Sequence, residues 1–89
     1  MDTQRFLYRG DMHLSMGETE EALELYDSAL TLDRNCYAAW LGKGTALKLL
    51  KRYKEALFCY EQALTLNRDS IMAECLAGYL RTELKNNKN

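Results

Sequence analysis

His13 is the only histidine in the chain, and it is the first residue to weigh for chemistry. An imidazole catalyses nothing alone. It needs a nucleophile, a second acid–base group or a metal within reach. The carboxylates nearest in sequence are Glu18, Glu20, Glu21 and Glu24. They crowd the start of a helix-forming stretch, where negative charge complements the helix dipole and is well solvated. The three thiols are Cys36, Cys59 and Cys75. Their number is odd and no two stand at a CxxC spacing. They read as small buried thiols, not as metal ligands. Gly42 and Gly44 form a GxG inside a helical stretch, with no Gly-Lys-Ser/Thr after it, so no phosphate cradle follows. These residues assemble no catalytic, cofactor or metal site, and the sequence is read as that of a non-enzyme with no cofactor.

Two small basic groups remain, Lys48, Lys51, Arg52 and Lys54, and Arg81, Lys85 and Lys88. Cations are favoured at helix C-termini, which explains both. The formal net charge is only −1. That removes the sequence-independent attraction to phosphate on which nucleic-acid binders rely, so no nucleic-acid partner is expected. No apolar run approaches the ~20 residues that span a bilayer, so no membrane insertion is expected. The start, Met1-Asp2-Thr3-Gln4-Arg5, lacks the basic and apolar parts of a signal peptide. A cytoplasmic location is expected, and the cysteine usage fits it.

The elements behind these residues follow from a period of 34. Gly10, Gly44 and Gly78 are spaced by 34, as are Ala22 and Ala56, Tyr26 and Tyr60, Ala29 and Ala63, and Arg34 and Arg68. The block Ala-Leu-Thr-Leu occurs at Ala29–Leu32 and again at Ala63–Leu66. A fixed period of this size marks stacked helical repeats. Proline is absent, and apolar residues recur at helical steps, as in Ala22, Leu23, Tyr26, Ala29 and Leu30. The pattern predicts an all-α fold with five helices, at about Thr3–Met16, Thr19–Leu32, Cys36–Leu50, Tyr53–Leu66 and Ser70–Lys85.

Gly17 is the expected stop of the first helix, at a residue with positive φ. Asn35 and Asp69 are the expected N-caps of the third and fifth. The tail Asn86-Asn87-Lys88-Asn89 should fray. A hairpin of two such helices cannot bury its apolar stripe alone, and stacking makes one continuous core. Gly10, Gly44 and Gly78 should let neighbouring helices approach closely. Ala22, Ala29, Ala56 and Ala63 should leave pockets for Phe6 and Trp40.

The second unit carries Trp40, Gly44, Leu47, Tyr53, Ala56, Tyr60 and Ala63. The first carries Phe6, Gly10, Ala22, Tyr26 and Ala29. In both period and pattern the chain resembles the tetratricopeptide repeat family over essentially its whole length. The resemblance implies a right-handed αα superhelix built as one domain over residues 1–89. Repeat one would span about residues 3–36, repeat two about 37–70, and a capping helix about 70–86. The family often closes a repeat with proline, but here Arg34 and Arg68 stand at those places. His13 and Lys43 also stand where larger apolar residues are common. Where Trp40 and Leu47 face a second helix, the fifth helix has Glu74 and Arg81. That reads as a polar end to a self-contained module, with Arg5 and Arg9 playing the same part at the front.

The family's first helices line a concave groove that holds peptide segments. The matching positions here are Gln4, Leu7, Asp11 and Leu14, then Ala38, Leu41, Thr45 and Lys48, then Met72, Cys75 and Tyr79. One subgroup clamps a terminal carboxylate with lysine, asparagine and arginine. The corresponding positions hold Leu7, Asp11, Gly42, Met72 and Leu76, which supply neither cation nor amide, so that activity is not expected. The expectation is a protein–protein interaction scaffold that takes a partner peptide or helix on a mostly apolar strip. The alternative is a homo-oligomer formed through the same surface or through the fifth helix.

Overall fold

A computed structural model describes residues 2–86. Five helices follow in order among the described residues: α1 (Asp2–Ser15), α2 (Thr19–Leu32), α3 (Tyr37–Leu49), α4 (Tyr53–Leu66) and α5 (Ile71–Asn86). No strand occurs among them. Each helix packs on the next in the chain, and α1 also touches α3. The result is an all-α superhelix of stacked hairpins measuring 41 × 28 × 18 Å. Asn86 closes α5, while the other three tail residues expected to fray lie outside the described residues.

The small residues of the period form the buried axis. Ala22, Ala29, Ala56 and Ala63 are fully buried, and so are Ala39, Ala73 and Ala77. Trp40 lies in the same core with 9% of its surface exposed. Its ring meets Phe58 edge-on at 6.0 Å, and its Nε1–H donates to the Arg34 carbonyl at 2.8 Å. Arg34, standing where proline was expected, thus lends its backbone to hold the indole. Phe6 is half-buried against the core. Lys43 reaches back to Asp27 on α2 at 2.7 Å and sits 5.9 Å over the Trp40 ring. A cation is tolerated there because its stem packs and its charge is met.

The helix stops repeat as well. Gly17 has φ +82°, as its place in the sequence implies. One period later Lys51 takes φ +65°, a conformation that costs a side chain about 1–2 kcal/mol. The turns differ from expectation in their detail. Asn35 does not cap α3: Cys36 stands at that cap, with no side-chain bond. Instead the Asn35 N–H donates to the Asp33 carboxylate at 3.1 Å. Asp69 likewise donates its N–H to Asn67 Oδ1 at 3.3 Å, and the cap of α5 is Ser70, whose Oγ accepts from Ala73 N–H at 3.0 Å. In each turn the first polar residue folds onto the backbone two residues on, so the third residue becomes part of the turn.

Gly78 also departs from expectation. Gly10 and Gly44 are buried against tyrosine rings, but a side chain at Gly78 would meet nothing within 4 Å. The close approach needs a second helix in the hairpin, and the described residues contain none after α5. The expected polar face is present: Glu74 and Arg81 are exposed, and Arg81 pairs with Glu61 of α4 at 3.3 Å.

Candidate docking groove

Two tyrosines set the geometry of the inner face. The Tyr26 ring, on α2, lies between α1 and α3. A Cβ on Gly10 would come 2.9 Å from its Cε1, and one on Gly42 would come closer still. Tyr60 of α4 repeats the contact on Gly44, where a Cβ would lie 2.7 Å from the ring. Both hydroxyls reach the inner face and are met there by residues one period apart. Tyr26 donates to Asp11 Oδ1 at 2.5 Å, and the Tyr60 hydroxyl is 2.9 Å from Thr45 Oγ1. Burial, and then the Asp11 carboxylate that accepts its hydrogen bond, push the Tyr26 phenol far above the ordinary tyrosine range. Burial raises Tyr60 too, while its bond to Thr45 opposes this. Both therefore remain neutral, fixed posts.

Between α1 and α3 the first of these posts, Tyr26, floors a cleft of about 270 Å³. Asp11 and Leu14 line one side, and Tyr37, Ala38, Leu41 and Thr45 the other, with Tyr26 and Gly42 beneath. Five of the positions placed on the groove by the period therefore come together: Asp11, Leu14, Ala38, Leu41 and Thr45. Leu7 does not join them, because it turns into the core, and Leu41 is shared between cleft and core. Gln4 and Lys48 lie outside the lining. Met72, Cys75 and Tyr79 form a separate exposed stripe on α5, with Met72 62% and Tyr79 52% exposed.

Sequence reasoning did not place Tyr26 or Tyr37 on the groove, and it named Gly42 only in a GxG pair and as a clamp position without a cation or amide. The signal for Tyr37 was its place one helical turn before Leu41. The signal for Gly42 was that its lack of a side chain leaves Tyr26 visible from outside. Tyr37 is also anchored, with its hydroxyl 2.5 Å from Ser70 Oγ.

No group of three or more metal-ligating side chains converges among the described residues. His13 makes a pair with Glu18 at 2.5 Å across the α1–α2 turn. The three cysteines are free. None of the described helices is long and apolar enough to cross a membrane.

The tetratricopeptide repeat description matches this sequence over residues 37–70 and, in a second form, over residues 4–46. The chain belongs to the tetratricopeptide repeat family. Among solved structures it is similar to the Arabidopsis OM64 TPR domain, with 27% identity and a TM-score of 0.88 over 91% of this chain and 67% of that one. It is also similar to YrrB, described as a TPR protein with an unusual peptide-binding site, with 29% identity and a TM-score of 0.85. That match covers 90% of this chain but 41% of YrrB, so the present chain spans well under half of that relative. Comparison with curated proteins gave no match. Within the tetratricopeptide repeat family such domains serve as interaction modules, which agrees with an inner face held rigid by buried tyrosines.

Proposed function

We propose that this chain is a non-catalytic docking module that takes a partner peptide or helix on the inner face of its superhelix. One observation carries the reading. The cleft between α1 and α3 keeps Leu14, Ala38 and Leu41 at a surface open to solvent, over a floor fixed by Tyr26. Apolar walls on rigid elements favour binding, because little side-chain freedom is lost on contact. The whole chain acts as one domain, and its three free thiols suit a reducing, cytoplasmic setting. A nucleic-acid role is not proposed, given the balanced charge.

The test uses Ala38, which is exposed in the cleft, in preference to Leu41, which also supports the core. Peptides selected on the wild-type chain from a random displayed library should lose binding to Ala38→Arg, while the thermal melt stays unchanged. Selected peptides that hold both proteins equally would remove the cleft from the reading.

A second reading has an observation of its own. On α5, Ile71 is 78% exposed, and Met72 and Tyr79 are exposed on the same helix. A stripe of this kind can join two copies. Sedimentation over a wide concentration range should then show a dimer that Ile71→Lys with Met72→Lys abolishes. A monomer throughout rejects self-association.

A further inference from the structure

The cleft has a charge as well as a shape, and the charge identifies the ligand class. Among the described residues, Asp11 is its only ionisable group apart from the two tyrosines. One carboxylate oxygen accepts the Tyr26 hydrogen bond, and among the described residues no hydrogen bond or ion pair occupies the other. The internal repeat shows that the charge is not needed for the tyrosine. One period on, the equivalent Tyr60 hydroxyl is satisfied by Thr45, a neutral side chain. A carboxylate where a hydroxyl would serve leaves one full negative charge at the rim of an otherwise apolar cleft. Tyr26 holds it in place, so a partner cation meets a fixed acceptor.

Resting on the docking reading above, we propose that the cleft takes a basic–apolar peptide. An arginine or lysine pairs with Asp11, and an adjoining aliphatic side chain lies against Leu14, Ala38 and Leu41. Acidic peptides are disfavoured, because an anion brought to the rim meets Asp11 and finds no cation in the lining. Lys48 stands beyond Thr45 and outside the cleft, so it does not reverse this sign.

Fluorescence anisotropy with end-blocked, labelled octapeptides tests the idea. The peptides are leucine-rich and differ at one central residue, Arg, Gln or Glu. The Arg peptide should bind about fivefold tighter than the Glu peptide, the upper range for a half-exposed ion pair. Its advantage should shrink as salt rises from about 50 to about 500 mM. Asp11→Asn, which keeps an acceptor for Tyr26, should bring the three peptides within about twofold of one another, and Asp11→Lys should invert the order. Equal binding of Arg and Glu peptides to the wild type, with loss of both in Ala38→Arg, overturns the charge preference and leaves the docking reading standing. An Arg preference that survives Asp11→Asn also overturns it. Failure of every peptide to bind at millimolar concentration removes both.

Discussion

Tyr26 is 1% exposed, and its ring occupies the space that a side chain on either Gly10 or Gly42 would need. The glycines here are not interchangeable, and the distances decide the sign of a substitution. Gly44→Ala puts a methyl 2.7 Å from the Tyr60 ring, which is fully buried and cannot swing away. It should destabilise by about 1–3 kcal/mol through overpacking. Gly78→Ala meets nothing and removes a glycine from the middle of a helix. It should stabilise by about 0.5–1 kcal/mol. Urea melts of the two variants check the pair, and equal shifts would sink the argument.

The buried hydroxyls and thiol give a second expectation at this scale. Burial pushes the Cys59 thiol from its ordinary 9.0 up to about 11, and Tyr26 and Tyr60 are raised too. Each is neutral in the folded state while the unfolded chain can ionise. The stability that Cys59 holds is therefore complete below about pH 9 and is lost as the pH climbs through about 11, and the raised tyrosines act in the same direction. Thermal midpoints taken at rising pH should stay level up to about 9 and then fall. A midpoint still level above pH 11 would show that these groups ionise without unfolding the chain.

At the scale of the element, the two hairpin turns use the same backbone with different residues. Gly17 adopts its positive φ freely, whereas Lys51 does so against its own side chain. Lys51→Gly should raise stability by about 1 kcal/mol, less the entropy that glycine adds to the unfolded chain. A differential melt at neutral pH measures it, and a loss of stability would mean that Lys51 makes a contact worth more than its strain.

The helices themselves were legible in the sequence, because Ala22, Tyr26 and Ala29 recur at helical steps and again one period later. Their caps were less so. Asn35 and Asp69 are strong capping residue types, yet Asp33 and Asn67 fold the turn first, and Ser70 takes the cap of α5. Composition names which residues can cap, but not which of three adjacent candidates has the right dihedrals. The groove was legible on α3 through Ala38, Leu41 and Thr45. It was not legible at Leu7, because register places a residue on a helix face without saying how far that face turns inward. Tyr26 escaped as a groove residue because it reaches the cleft floor from α2, past the missing side chain of Gly42.

Across the whole molecule, stability rests on one stack. The main core runs through the stack: Ala29, Trp40, Tyr60 and Leu80 come from four helices and share a cluster. At about 0.05–0.15 kcal/mol per residue, the total for a chain of 89 residues is on the order of 5–13 kcal/mol. Trp40→Ala removes the indole from the middle of the stack and should cost about 3–5 kcal/mol. That is enough to unfold a chain at the lower end of this range, and the loss should appear in both hairpins at once. Hydrogen exchange read residue by residue checks this. If α1 and α2 kept full protection while α4 and α5 lost theirs, the stack would not be cooperative.

The Tyr26 ring lodges between two helices because Gly42 leaves room for it, and one period later the same position holds Leu76, half-buried against the core. The two junctions therefore differ in the bulk of the residue at this position. Enlarging residue 42 should press on the Tyr26 ring and narrow the hollow that both residues line, so that bulkier guests no longer fit.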